Sequence, residues 1–283
     1  MRLILSRKGF DSASGGCPSP IMPDGSMHSL PIPDRASDIP YAELEWQGVN
    51  VGQLVADLTG DPRRRTHHAH LDPDVERQAL PRQGGWRPVF GQTGSAQGHL
   101  RRQGVGPGDL FLFFGLFRRV EQGRGGWRFV SRSPARHILW GWLQVGELHA
   151  VDSLAADALP WARYHPHFRG DRGANNTLYV AASRLCLPGE RADAPGAGIF
   201  PQIDAPLVLT APGAAGPSQW QLPAAFFPSR GRVPLSHHGK PDRWRLVGGD
   251  RCFLQSVSRG QEFVLDLAHY PAVAEWATHL FDA

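Results

Sequence analysis

Backbone interruptions set the first limit on what this chain can fold into. Glycine and proline supply 33 and 25 of its 283 residues, about a fifth of the total, well above ordinary usage. No triplet glycine repeat accompanies them, so a collagen-like rod does not follow. Each glycine inside a helix costs about 1 kcal/mol against alanine, and each proline about 3 kcal/mol. Long helices are therefore few, and turns and irregular loops many.

Between these breaks the apolar runs are short. Residues 2–5, 110–117, 127–130, 137–145, 176–182, 207–210, 244–246 and 262–265 read as strands. The spacing of Val51, Leu54, Val55 and Leu58 suits a short helix over 51–59, ended by Asp61-Pro62. Tyr270 to Phe281 is the best helix, with its core at 271–281. Pro271 fits a first turn, and Val273, Trp276, Ala277 and Leu280 share a face. Pro188 to Gly198 reads as a loop. The expected fold is α+β: a mixed or antiparallel sheet core with a few short helices and many Pro/Gly loops.

Charge and cysteine usage exclude some classes. Hydrophobic residues make up 41% and charged residues 20% of the chain, which fits a folded globule and not general disorder. The longest apolar run, Leu110 to Phe117, contains a glycine and falls far short of the roughly 20 residues a membrane helix needs. Arg2-Leu3-Ile4-Leu5-Ser6-Arg7 has too short an apolar stretch for a secretory leader. Cys17, Cys186 and Cys252 are widely separated and odd in number, so a reducing cytoplasm is expected. The formal charge of +4 permits a nucleic-acid partner without demanding one. Lys8 and Lys240 are the only lysines, and the other basic residues are arginines, which suit planar contacts with phosphate.

Chemistry-bearing residues cluster in separate segments. Lys8-Gly9-Phe10-Asp11-Ser12-Ala13-Ser14-Gly15-Gly16 follows the first strand. Its glycines and hydroxyls can cradle an anion, with Lys8, Ser12, Ser14, Gly15 and Gly16 as binding candidates and Asp11 as a base. The order is not that of a P-loop; a tight surface turn explains the same residues. His67-His68-Ala69-His70-Leu71-Asp72-Pro73-Asp74 is rich in imidazole and carboxylate. Its spacing matches no mechanistic metal motif, so His70 and Asp72 are assigned to proton transfer and no metal set is assigned. Gln92 and Gln97 can read a base edge, and His99 can move a proton. Trp140, Trp142 and Gln144 alternate on one strand, and a period of two would put them on one face to stack and read a base. A core tryptophan pair is the plain alternative. His165 and His167 flank Pro166 as an acid/base pair, with Asn176 nearby and Arg118 available for a phosphate.

As a set these motifs look familiar. Lys8 to Ser12, His70 to Asp74, Phe90-Gly91-Gln92 with Gln97 and His99, Gly108 to Gly115, His137 to Val145 and Tyr164 to His167 together resemble the nucleotide modification associated domain 3 family. That group of bacterial and phage proteins is tied, largely by genome context, to modification of DNA bases. The resemblance runs over nearly the whole chain and implies one domain across 1–283. It also implies a nucleotide or nucleic-acid partner, no membrane, and no particular cofactor. A fainter likeness, over residues 104–150, is to the core hairpin of PUA-like β-barrels. Two functions follow as expectations: an enzyme acting on a nucleotide or DNA base, or a non-catalytic reader that binds a modified base in DNA or RNA with Trp140 and Trp142 as the stacking platform. The first requires that the polar segments meet in one cavity.

Overall fold

The computed structural model describes residues 1–187, 194–229, 231–258 and 260–282. Its strands are β1 (Arg2–Arg7), β2 (Ser19–Ile21), β3 (Glu45–Trp46), β4 (Val49–Asn50), β5 (Val89–Gln92), β6 (Leu110–Gly123) and β7 (Gly126–Phe129). They continue as β8 (Arg136–Ala150), β9 (Thr177–Ala181), β10 (Ala197–Ile199), β11 (Gln219–Pro223), β12 (Trp244–Val247), β13 (Arg251–Gln255) and β14 (Glu262–Asp266). The α-helices are α1 (Val51–Thr59), α2 (Gly94–Arg102) and α3 (Pro271–His279).

A mixed sheet runs in the order β14-β1-β6-β8-β9-β5, with β2, β7 and β10 attached at its flanks. β1 is parallel to β6 and antiparallel to β14; the other ladders along this path are antiparallel. The apolar run at the start of β6 explains its central place. Leu110 to Phe114 are fully buried with a strand on either side, as expected of a strand covered on both faces. A smaller sheet, β11-β13-β12, packs through Trp220, Leu222 and Leu254. The α+β expectation therefore holds.

The hairpin expected over 104–150 is β6 and β8, with β7 folded back on the end of β6. It does not belong to a closed barrel. β14 and β5 stand at opposite ends of the strand order and share no ladder. Side chains link them instead: Gln92 at the end of β5 donates to Glu262 at the start of β14, 2.7 Å away. The sheet therefore bends until its two ends meet at one corner.

A second apolar cluster, from Phe10, Tyr41, Leu44, Trp46 and the buried face of α1, carries the loops of the first 80 residues. α1 begins where Asn50 Oδ1 accepts from the Gln53 amide and ends at Gly60 with φ of +68°, matching the expected 51–59 span. α3 buries Val273 and Ala277 and sets Trp276 edge-on against Phe226. It stops two residues before the expected end.

Two local expectations fail. Residues 207–210 form no strand; Pro206 lies in a 3-10 turn over Ala205–Leu207, and only single bridges follow at Val208 and Thr210. Of the expected loop over Pro188 to Gly198, residues 188–193 lie outside the described residues, and Ala197 and Gly198 pair with β8 in β10.

Candidate active site

The corner where the sheet ends meet opens into a cavity of about 730 Å³. Lys8, Asp11, Ser14, His70, Asp72, Gln92, His99 and His167 all line it, with Arg7, Arg102, Arg172, His237 and Glu262. Loops remote in sequence thus meet around one space.

Asp72 is the centre of one wall. Its Oδ1 accepts from the Gly91 amide of β5 at 2.6 Å. His165, fully buried, brings Nε2 to 3.3 Å from the same oxygen. Asp72 Oδ2 faces His70 Nε2 and His167 Nε2, each 3.9 Å away. Burial alone would raise the Asp72 carboxyl; the His165 contact and the surrounding imidazoles outweigh it and hold the group below the usual carboxylate range.

Each imidazole is fixed from behind. His70 Nδ1 lies 2.7 Å from Asp34 Oδ2, and Arg172 donates to that same oxygen at 2.7 Å. Burial disfavours the ionised Asp34, but these two partners hold its carboxyl below the usual range. His167 sits in a 3-10 turn over Pro166–Phe168. Its Nδ1 is 2.5 Å from Asn176 Oδ1, while Asn176 Nδ2 donates to the His167 carbonyl at 2.8 Å. Burial pushes His167 down to about 4, so its ring is neutral at pH 7. His70, Asp72 and His167 form a group whose ligand atoms all lie within 4.8 Å of one another, a geometry able to hold a metal ion.

The sheet ends border the same cavity. Lys8 Nζ stands 3.0 Å from Glu262 Oε1 and over the Phe90 ring at 4.4 Å. Its charge is thus already paired within the protein, which departs from a lysine held ready for phosphate alone. α2 starts beside it, and Ser95 and Ala96 of its first turn line the cavity. His99 Nε2 lies 3.0 Å from Ser236 Oγ, which accepts from the Val264 amide. Partial burial, with His237 and Arg102 nearby, lowers the His99 pKa.

The family model for nucleotide modification associated domain 3 matches residues 2–266. The chain belongs to this family. The matched span takes in β1 through β14, and with them every side chain named in the cavity walls. No curated protein and no solved structure matches the chain. Among the described residues of this nucleotide modification associated domain, no helix is long and apolar enough to cross a membrane.

The remaining expected site residues lie elsewhere or serve the fold. Asp11 Oδ1 accepts from the amides of Ala13 and Ser14, closing the turn that also contains Ser12. Gly15 packs on the Phe10 ring with φ of +94°, and its carbonyl accepts from Arg64. Ser12, Gly15 and Gly16 do not line the cavity. Gln97 accepts from the Tyr179 hydroxyl, both buried. Gln144 joins the backbones of Gly108 and Cys186. Arg118 donates to the Val130 carbonyl and Ser133 hydroxyl.

The shared aromatic face expected of Trp140 and Trp142 does not form. β8 carries a bulge at Trp140: Gly141 opposes Phe113, and Leu139 opposes Phe114. The extra residue breaks the period of two. Trp140 stacks on Phe113, whereas Trp142 opposes Leu112, on the other face, and packs against Phe200 and Phe281.

Asp34, Arg172 and Glu262 have no counterpart among the expected site residues, whereas Ser236 stands in Ser236-His237-His238-Gly239, a weaker polar cluster of the same kind as His165 and His167. Nothing local marks Asp34 or Arg172. Glu262 opens an apolar strand segment, a faint sign of a buried charge that needs a partner.

Proposed function

We propose that this protein is an enzyme acting on a nucleotide or a nucleic-acid base bound in the cavity between the sheet ends. The convergence of proton-transfer and ligand groups in that one cavity carries the reading. His70, Asp72, His167 and His99 come from three distant segments and line the same space. Its volume of about 730 Å³ falls in the range of small-molecule sites. Arg7 and Arg102 on its wall and the N-terminal turn of α2 supply positive potential suited to a phosphate, whereas Arg172 is paired with Asp34. Gln92 supplies an amide at the same wall. His99, partly exposed and beside Ser236, is positioned to exchange a proton with a bound base. Family membership agrees with a nucleotide-related ligand.

The experiment is thermal denaturation of the full chain with nucleoside mono- and triphosphates and with short modified and unmodified duplexes. Mass spectrometry of the recovered nucleosides follows. A rise in Tm with a nucleotide, reduced in Arg102→Ala, together with a mass change in that nucleotide, is the expected result. No shift with any nucleotide, or a shift with modified duplex alone and no mass change, would overturn the enzymatic reading.

A further inference from the structure

We propose that His70 Nε2, His167 Nε2 and Asp72 Oδ2 bind one divalent first-row transition-metal cation at the cavity wall. His70 Nδ1 faces the Asp34 carboxylate at 2.7 Å, so Nδ1 is the donor and Nε2 is the nitrogen left to offer a lone pair to a cation. Asn176 Nδ2 is occupied by the His167 carbonyl, which leaves its Oδ1 as the acceptor for His167 Nδ1–H. His167 Nε2 therefore also presents a lone pair. Two lone pairs and a carboxylate oxygen then point at one another with no hydrogen between them. A cation is what such a set lacks.

The distances support this over an internal ion pair. A protonated imidazole bound to Asp72 would approach to about 2.8 Å. Both Nε2 atoms instead stand 3.9 Å from Oδ2. Two ligands of one cation, each about 2.1 Å from it, are separated by at most about 4.2 Å. In tetrahedral or facial octahedral coordination that separation is about 3.0–3.4 Å, so the 3.9 Å pairs close by about half an ångström on binding, and the group, all within 4.8 Å, contracts around the ion.

The surroundings are those of a metal site. Ligating histidines ordinarily donate their second nitrogen to a carboxylate or carbonyl, which fixes ring and tautomer. Asp34 and Asn176 do so here. The Gly91 amide holds Asp72 Oδ1, with His165 Nε2 3.3 Å from the same oxygen, leaving Oδ2 turned to His70 and His167. Two imidazoles and one carboxylate suit iron, zinc, manganese or cobalt, and leave coordination positions facing the cavity. The inference deepens the enzymatic reading and rests on it for the role of those open positions. Metal binding itself is measured without nucleotide.

Chelator-treated full-length protein is titrated with Co(II), followed by calorimetry, visible absorption and proton NMR. One equivalent is expected to bind. Two strongly shifted exchangeable signals, from the retained Nδ1–H groups of His70 and His167, are also expected. His70→Ala and His167→Ala should lose binding by more than tenfold. Asp34→Asn should weaken it by about 10- to 100-fold. No saturable binding, no shifted imidazole signals in the unaltered protein, or undiminished binding in both histidine variants would overturn the proposal. The wild-type signals keep the test decisive if a variant does not fold. Nucleotide-induced stabilisation together with no saturable Co(II) binding to the chelator-free protein would refute the metal site alone. Co(II) binding without any nucleotide effect would refute the nucleotide reading alone.

Discussion

Gly91 and His167 occupy space that a side chain at position 91 would contest. A Cβ built at Gly91 would lie 2.3 Å from Cδ2 of the His167 ring. The absence of that carbon lets the imidazole lie against β5 while the Gly91 amide holds Asp72.

Gly91→Ala should therefore displace His167 or bend β5. Overpacking of this kind costs about 1–3 kcal/mol, read as a lower urea midpoint. Co(II) affinity should fall with it. Wild-type midpoint and affinity in Gly91→Ala would show that the ring does not depend on this contact.

Lys8 and Glu262 make a buried pair at the closing corner of the sheet. Removing one partner of such a pair leaves a desolvated charge and costs about 3–5 kcal/mol. Lys8→Met should destabilise strongly, and the double variant Lys8→Met/Glu262→Met should recover part of the loss. Urea denaturation of the two singles and the double closes the cycle. Additive losses would mean that the two groups are not coupled.

Stability should also fall on acidification. Burial lowers His28 to about 4, His137 to about 3 and His238 to about 4. Above about pH 6.5, the unperturbed value, these groups are neutral in both folded and unfolded chains and add no pH dependence. Between about 6.5 and 4 the unfolded chain takes up protons that the folded chain refuses, so unfolding is favoured. Tm measured across that window should decline steadily. A flat profile from pH 7 to 4.5 would contradict the burial of these rings.

Trp142 lies apart from the cavity, against Phe200 and Phe281, with its indole N–H donated to the Pro195 carbonyl. Trp142→Ala should cost about 3–5 kcal/mol of stability and leave any nucleotide-induced rise in Tm unchanged in size. Loss of duplex binding with little loss of stability would restore the tryptophan to a base-reading role.

Much of this protein is legible along the chain. Short apolar runs between glycines and prolines read as strands, because apolar segments of four to eight residues commonly bury themselves by pairing, although 207–210 does not. Leu110 to Phe114 marks its own central place, and the 51–59 and 271–279 helices follow from local spacing and caps. The grouping of Lys8, His70, Gln92 and His167 as candidates also came from local residue type. Tertiary structure alone decided the rest. β5 is too short to announce itself, yet its Gly91 is what orients Asp72. The partner that fixes the His70 tautomer, Asp34, lies 36 residues away in a stretch with no distinguishing pattern. A single bulge at Trp140 reversed the facing of two tryptophans that strict alternation would have kept together. Alternation, caps and turns act over a few residues and can be seen in order. The meeting of β5 with β14, and of lone pairs from separate loops, depends on how far a whole sheet bends, and no local segment encodes that.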